Sequence, residues 1–548
     1  MHESDPEKGV ALARLKLVKS PVISKKDTRK PRSESTASTE QDHGNNHDEQ
    51  ADSTLQEELP IFQRHNESTT IELFYDLFFV ANLATFSGIH EIQSVTTLTS
   101  YIGFFCVLWF TWCLTSMHDI RFVSDSLISR IAKGAHLGVM VGLAVTGPKY
   151  AGESHGAELR VLALILMVSR IVLALQYLLV LFHVRAYKNS KLPLGLTAGF
   201  SLVAAFIYLG DFSASTETDH AYRAFYVVAV AEMVVNIGVA SQWRVVSFKG
   251  THLIERMSLL TLYILGEGVL DVLKSVTKIA QAQDFWTAGN IGSLLGAILA
   301  IYLFYMLYFD TLNRHHFGSI RQQIWSFLHF PFHAALVLCV AGMAQFVIWQ
   351  KITEIINGFS TELLSGFEAW SQKYSNMNPE NANTEDFAKS FTDEVQLAIN
   401  HTFAAYPPED ALETSETIKG LLETLQEQLT QLTESADDSD SNGIQKVLTD
   451  IASKVSTTIM SKYGFETPED YSGSEDDYSG DLTARLETAA LFFEYFFIAA
   501  GFSIIILGIL GLVNTRQSDD DWVTKLTSSA WPVPMVAIVL LFGKFNEE

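Results

Sequence analysis

Long apolar runs separated by short polar connectors are the feature that most limits what this chain can form. A helix needs about 20 mostly apolar residues to cross a hydrocarbon core of about 30 Å. Runs of that length recur, for example from Leu98 to Met117 and from Ala489 to Val513. Only helices and closed barrels satisfy their backbone polar groups in lipid, and these runs are too long and too uniformly apolar for barrel strands. The sequence therefore predicts an all-α polytopic membrane protein embedded in the lipid bilayer.

The length rule predicts about eleven transmembrane helices in the 548 residues. We expect them at 71–91, 98–117, 128–147, 158–183, 193–210, 221–241, 258–279, 288–309, 327–350, 488–513 and 530–545. Lys and Arg concentrate in alternate short connectors, for example at Arg185, Lys188 and Lys191, which favours a cytosolic N-terminus. The plasma membrane, the vacuole and other endomembranes are all compatible with this pattern, and it predicts nothing about oligomeric state.

The spans divide the chain into four regions. Residues 1–66 are polar and poor in aromatics, which predicts a disordered cytosolic tail. Residues 67–350 hold the first nine transmembrane helices, and 488–548 hold the last two. Between them, 351–487 is an acidic extracytosolic insertion, in which apolar residues at helical spacing over 418–432 and 444–459 predict two amphipathic helices. Asn400 begins an Asn-His-Thr sequon and is a candidate for glycosylation on the predicted outer side.

Composition argues against two classes of function. The formal net charge of −24 does not favour nucleic acid as a partner, and much of it lies in the acidic insertion. The three cysteines, Cys106, Cys113 and Cys339, all lie inside apolar runs, so neither a disulfide framework nor a zinc finger follows from them. We therefore expect no cofactor.

Acidic residues indicate an internal repeat with halves at about 67–250 and from 251 through 350 onward. An offset of 191 residues places Asp76 on Glu267 and Asp119 on Asp310, and in each half a histidine, His136 or His329, stands near the start of the next helix. An internal duplication is the simplest account. Because six predicted spans precede the second copy, both copies enter the bilayer in the same direction. Parallel repeats of this kind build several transporter folds, with the binding site at their interface.

Polar side chains inside the predicted spans are the main candidates for function. A charge at the bilayer centre costs about 2.5–3.5 kcal/mol on insertion scales, so it requires a partner or a function. The first, sixth and seventh predicted helices each carry two polar residues four positions apart, which therefore share one helix face. The predicted helix at 158–183 carries an arginine near its middle. The predicted transport or ion-pathway residues are Glu72, Asp76, Asp119, Arg170, Glu232, Asn236, Glu267, Asp271 and Asp310.

Three interpretations of these residues stay open. In the first, the carboxylates line a transport pathway and one of them changes protonation. The alternative for the same residues is that Arg170 and a carboxylate form a buried ion pair that only fixes helix register. In the second, His329 and His333 bind a metal with a carboxylate and make the protein a membrane-embedded hydrolase, although Pro331 between them distorts the turn. In the third, the protein is a non-transporting scaffold or sensor whose acidic insertion binds partners.

The chain resembles the low temperature requirement protein A family of multi-pass membrane proteins. The resemblance is carried by the segment 72–80 (ELFYDLFFV), by His252 with Glu255 and Arg256 leading to 265–268 (LGEG), and by 308–310 (YFD), with 329–331 (HFP) in place of the family's His-Leu-Pro. It covers the membrane portion to about residue 350. The long tail and the insertion look like those of the fungal branch, and the resemblance implies no settled activity.

These observations together predict a transporter or channel for a small ion or polar solute. In this hypothesis Asp76 and Glu267 are the coupling carboxylates, Arg170 is their counter-charge, and Asp119 and Asp310 stand at the cytosolic mouth. An enzymatic activity is the less favoured alternative.

Overall fold

The computed structural model describes residues 17–22, 60, 62–63, 67–89, 92, 94–122, 124–147, 156–214, 222–243, 246–248, 251–280, 286–312, 319–375, 384–434, 441–468, 471–474 and 476–514. These residues form helices and no strand, which confirms the predicted all-α class. The helices are α1 (Thr70–Ile89), α2 (Val95–Asp119), α3 (Leu127–Thr146), α4 (Gly156–His183), α5 (Lys188–Ala214), α6 (Tyr222–Gln242), α7 (Leu253–Ala280), α8 (Ala288–Thr311), α9 (Ser319–Ser375), α10 (Thr384–Ala405), α11 (Ala411–Glu434), α12 (Ser441–Lys462) and α13 (Tyr478–Asn514).

Eight of these helices are long and apolar enough to cross a membrane, namely α2 to α6, α8, α9 and α13. Ten of the predicted spans coincide with α1 to α9 and α13. Two of these ten helices, α1 and α7, are not among the eight named above. They carry the carboxylate pairs Glu72/Asp76 and Glu267/Asp271, and they pack against each other. The eleventh predicted span, 530–545, lies outside the described residues.

Helix α2 lies at the centre of the bundle and packs against α1, α4, α6 and α9. Its residues from Gly103 to Asp119 are all buried. A helix that is apolar all round belongs inside a bundle rather than at its surface, which explains this position. Its N-terminus is fixed by a capping box, in which the Ser94 hydroxyl accepts from the Thr97 backbone N–H at 3.1 Å and Thr97 Oγ1 accepts from the Ser94 N–H at 2.9 Å.

The acidic insertion continues directly from two helices of the bundle. Helix α9 has 57 residues and α13 has 37, so α9 extends about 85 Å, far beyond a hydrocarbon core of about 30 Å. Helices α10 to α12 complete the insertion. The predicted amphipathic segments lie in α11 and α12, which pack together and bury Leu425, Ile451 and Val455 completely. The domain boundary expected at residue 350 therefore falls inside one continuous helix.

Polar contacts hold α12 and the residues that follow it to α13 and α7. Arg485 on α13 donates to the carbonyls of Phe465 (2.5 Å) and Thr457 (3.2 Å). Lys278, in the last turn of α7, donates to the carbonyl of Tyr463 at 2.8 Å. The end of α7 is thus tied to the insertion, whereas its start contacts Ser68, whose backbone N–H donates to Glu255 at 3.2 Å.

The helix boundaries agree with the offset that suggested the repeat. When the first half is shifted by 191 residues, the end of α1 falls on the end of α7. The ends of α2 and α8 then agree within one residue, and so do the starts of α3 and α9. The side chains do not follow as closely, because Asp119 is buried and Asp310 is exposed. The duplication stays a prediction.

Part of the N-terminal tail lies against the end of the bundle where α1 begins. Leu17 accepts from the Ile128 N–H at 3.3 Å, Pro21 accepts from the Gln63 N–H at 2.9 Å, and Phe62 packs edge-on against Phe122. Most of 1–66 lies outside the described residues, and the predicted disorder there stays a prediction.

Candidate functional site

A buried ion pair between α1 and α7 is the centre of the site. Arg256 Nη2 lies 2.6 Å from Asp76 Oδ1, and both side chains are fully buried. The same carboxylate oxygen accepts from Trp112 Nε1 at 2.7 Å, and the same Arg256 nitrogen donates to Ser116 Oγ at 2.9 Å. Three helices therefore meet at one carboxylate.

This cluster keeps unused hydrogen-bonding capacity. Asp76 Oδ2 and the Nε and Nη1 atoms of Arg256 are buried and make no hydrogen bond. Buried polar groups in proteins are nearly always satisfied, and an exception points to a site for water, an ion or a solute. The ion pair is therefore incomplete as a purely structural element.

Glu72 connects this pair to the start of α1. Its Oε2 accepts from the Thr69 N–H (2.8 Å) and the Thr69 hydroxyl (2.9 Å). The same oxygen lies 3.3 Å from His252 Nε2 and 4.0 Å from Arg256 Nη1. Because Glu72 is one helical turn before Asp76, the two carboxylates face the same guanidinium. We call Glu72, Asp76 and Arg256 the cleft-side cluster.

Glu72 also lines a cleft of about 1040 Å³ at this end of the bundle. Polar groups of α2 and α3 share its wall, where Asp119 pairs with Lys133 and lies 3.2 Å from His118 Nδ1. At its mouth, Arg130 donates two hydrogen bonds to exposed Asp125, and these lower the pKa of that loop carboxyl below its usual value. Solvent in the cleft thus reaches a carboxylate that faces the buried arginine.

Arg170 lies elsewhere in the bundle and has a different partner. Its Nε is 2.5 Å from Glu232 Oε2, and the pair joins α4 to α6. Asn236, one turn further along α6, accepts from Arg121 Nη2 at 2.9 Å. The polar stripe predicted on α6 therefore binds two arginines, one on α4 and one in the turn that follows α2. The guanidinium beside Asp76 belongs to Arg256, not to Arg170, which was expected to be its counter-charge.

The second carboxylate pair lies further along α7, with Glu267 at its midpoint and Asp271 one turn nearer the end that contacts the insertion. Asp271 Oδ1 is 2.9 Å from Lys274 Nζ, and Glu267 Oε1 is 3.7 Å from the same nitrogen. Glu267 is 3% exposed, and neither of its carboxylate oxygens has a hydrogen-bond partner. We call Glu267 and Asp271 the insertion-side pair. Eleven residues separate Arg256 from Glu267, which corresponds to about 16 Å along the helix.

The two histidines of the metal alternative are held by hydrogen bonds. His329 Nδ1 faces the Trp325 carbonyl at 2.7 Å and must donate, so its Nε2 accepts from the Tyr308 hydroxyl at 2.9 Å. His333 Nδ1 accepts from Trp109 Nε1 at 3.0 Å, and its Nε2 contacts Thr261 at 2.8 Å. A metal would have to displace a partner from each ring. Within the described part of the chain, no group of three or more metal-ligating side chains occurs.

The remaining predicted residues lie apart from both clusters. Asp310 is exposed at the end of α8, and Asn400 is exposed on α10. The sequence patterns did not single out Arg256, because Glu255 and Arg256 stand at a helix entrance, where capping accounts for such residues. One signal was available: Arg256 precedes Glu267 by about three turns and thus lies on the same face of α7.

Comparison with known proteins identifies the family. The family model described as Bacterial low temperature requirement A protein (LtrA) matches residues 67–365, more than half of the chain. No match was found among curated proteins or solved structures. The matched range contains both carboxylate pairs, Arg256 and the first part of the insertion. The chain therefore belongs to the low temperature requirement A family of proteins.

Proposed function

We propose that this protein is a transporter for a small ion or polar solute, with Asp76 and Glu267 as its coupling carboxylates. The observation that carries the proposal is the cleft-side cluster, in which a fully buried carboxylate and guanidinium leave three polar atoms without partners. A pair that only joined helices would gain most from complete hydrogen bonding. Unused donors and acceptors next to a solvent-reachable glutamate favour binding of a polar species.

The arrangement of the two carboxylate pairs supports the same function. They lie on the adjoining helices α1 and α7. Along the axis of α7, about 16 Å separates Arg256, which pairs with Asp76, from Glu267. This distance is roughly half of a hydrocarbon core of about 30 Å. One pair borders the cleft, and the other lies further along α7 toward the insertion. A substrate that crossed the bundle would therefore meet acidic groups at two depths.

Buried aromatic side chains lie between the two pairs along α1 and α2, and they favour a transporter over an open channel. Phe79, Trp109 and Trp112 are fully buried, with ring centroids of Trp112 at 6.0 Å from Phe79 and 6.3 Å from Trp109. A channel requires a continuous polar path, whereas a transporter closes one side while the other is open. In this conformation the cleft borders Glu72, and Asp76, one helical turn further along α1, is fully buried.

Flux through proteoliposomes tests the proposal. Purified wild-type protein is compared with Asp76→Asn and Glu267→Gln under ion, proton and solute gradients, and Glu423→Gln, an exposed carboxylate in α11, serves as the matched control. We expect wild type and the control to transport and both buried variants to lose transport while still reaching the membrane. Normal flux in both buried variants would remove the carboxylates from the mechanism. No wild-type flux under any gradient would overturn transport and favour a membrane scaffold or sensor.

A further inference from the structure

We propose that the insertion-side pair is a proton-binding site in which Glu267 and Asp271 share one proton. If the protein transports, as proposed above, the proton is then the ion to which transport is coupled. The binding site itself does not depend on transport.

The balance of charge around the pair is the first argument. Glu267 and Asp271 are one helical turn apart and their side chains interact, while Lys274 is the single basic group that acts on both. Lys278, the next lysine on α7, donates to the carbonyl of Tyr463. Two carboxylates and one ammonium leave one negative charge, which a buried site does not hold without compensation.

In the described part of the chain, the neighbouring helices supply no second positive charge at the pair. Helix α8, which packs against α7, carries Asp310 as its one charged side chain. Helix α1 contributes the Ser87 hydroxyl, which contacts Asp271. Helix α2 contributes the phenol of Tyr101, α9 contributes Val340 beside Gly268, and α13 contributes Tyr495, which faces Tyr101. Among the described residues, the charged groups that act on Glu267 are therefore Asp271 and Lys274.

The oxygens of Glu267 show where the missing positive charge belongs, because the nearest cation, Lys274 Nζ, lies 3.7 Å from Oε1 and is too far away to donate a hydrogen bond. The residue is 3% exposed, and both oxygens lack a hydrogen-bond partner. A proton on either carboxyl converts it into a donor, and its O–H then hydrogen-bonds to the other carboxylate. Two adjacent carboxyl groups in a buried site commonly share one proton, because both do not ionise together.

A proton fits this site better than a metal ion does. Hard cations take six or more oxygen ligands, and an ammonium close by opposes them. Lys274 lies 2.9 Å from Asp271. Lys274 is about half exposed and Asp271 is 16% exposed, whereas Glu267 is 4% exposed at its side chain. Protons can therefore exchange with the insertion side through Asp271 and reach Glu267 behind it.

Infrared spectroscopy of the full-length protein in liposomes tests the site without a transport assay. A protonated carboxyl group gives a carbonyl stretching band that is distinct from that of a carboxylate and shifts in D₂O. We expect the wild type to show this band at neutral pH. Glu267→Gln and Asp271→Asn should each remove it, because one remaining carboxylate then pairs with Lys274. Glu423→Gln should keep it.

The other outcomes separate this inference from the proposed function. A wild-type spectrum without the band, or a band that survives in both variants, overturns the shared proton even if the protein transports. A band that appears only when choline replaces sodium and potassium overturns it in favour of an alkali cation at the pair. A band that behaves as expected, together with no flux under any gradient, supports the proton site and overturns transport instead.

Discussion

Two buried arginines in this bundle, Arg170 and Arg256, differ in the number of carboxylates they face and in the number of hydrogen bonds their nitrogen atoms make. Arg170 and Glu232 face each other at 2.5 Å, and Ser169 Oγ accepts a further hydrogen bond from Arg170 at 3.2 Å. Arg170 leaves one nitrogen, Nη2, without a hydrogen bond, whereas Arg256 faces two carboxylates and leaves two nitrogens, Nε and Nη1, without one. A one-to-one pair suits a structural role, whereas one cation shared by two carboxylates can change partners when one of them is protonated.

At the scale of single residues, this difference predicts how Arg170 responds to substitution. Arg170→Met leaves Glu232 buried without its partner, and we expect the free energy of unfolding to fall by about 3–5 kcal/mol. Arg170→Met combined with Glu232→Leu removes both charges and should recover most of that loss. Thermal unfolding of the two purified variants and the wild type in the same detergent measures both effects.

A double variant no more stable than Arg170→Met would contradict the assignment of the pair as a self-contained ion pair. Flux through a folded double variant is the second readout. Its loss would put Arg170 and Glu232 in the pathway predicted from the sequence, and its retention would limit them to joining α4 and α6.

At the scale of elements, the contact between α7 and α9 determines the position of the insertion-side pair. Gly268, next to Glu267, is buried where the two helices approach most closely, and a Cβ added there would collide with Val340 Cγ1. A Cβ added at Gly266, two residues earlier on the same helix, would meet no atom within 4 Å. The absence of a side chain at Gly268 thus permits α9 to cover α7 at the depth of Glu267.

Substitution of these two glycines tests the contact. Gly268→Ala should lower the free energy of unfolding by about 1–3 kcal/mol, as expected for overpacking. Gly266→Ala, the matched control, should be neutral or stabilising by up to about 1 kcal/mol, since alanine favours helices. Gly268→Ala with Val340→Ala should recover part of the loss. Thermal unfolding measures all three, and equal effects of the two single variants would show that the helices are not in close contact.

At the scale of the whole molecule, α7 separates two sides of the protein. Its start contacts Ser68 and its end contacts the insertion through Lys278 and Tyr463. Its 28 residues extend about 42 Å, enough to cross a hydrocarbon core. We therefore predict that the two sequons, Asn-Glu-Ser at 66–68 and Asn-His-Thr at 400–402, lie on opposite sides of the membrane.

This arrangement predicts which sequon is modified in a eukaryotic host. With the N-terminus cytosolic, we expect glycan at Asn400, which is exposed on α10, and none at Asn66. A gel shift on enzymatic deglycosylation should be present in the wild type and in Asn66→Gln, and absent in Asn400→Gln. A shift that depends on Asn66 alone would invert the orientation, and one that depends on both would show that α7 does not cross the membrane.

The all-α class and the positions of ten spans followed from the sequence alone, whereas the full lengths of α9 and α13 did not. The class and the span positions depend on local quantities: about 20 apolar residues are needed to cross lipid, and residues four apart share a helix face. For the same reason, the four-residue spacing was enough to pair Glu72 with Asp76 and Glu267 with Asp271. The amphipathic helices of the insertion were likewise visible in the spacing of their apolar residues.

The partners across helices were decided by the tertiary structure. Arg170 and Arg256 are both arginines in apolar surroundings, and only the packing of α4 on α6 and of α1 on α7 determines that the first meets Glu232 and the second meets Asp76. Trp112 and Lys133 join the site in the same way, from helices distant in sequence. Electrostatic and hydrogen-bond energies depend on distances of a few ångströms between atoms. Periodicity along one chain specifies the face of a helix, but not which helix lies against that face.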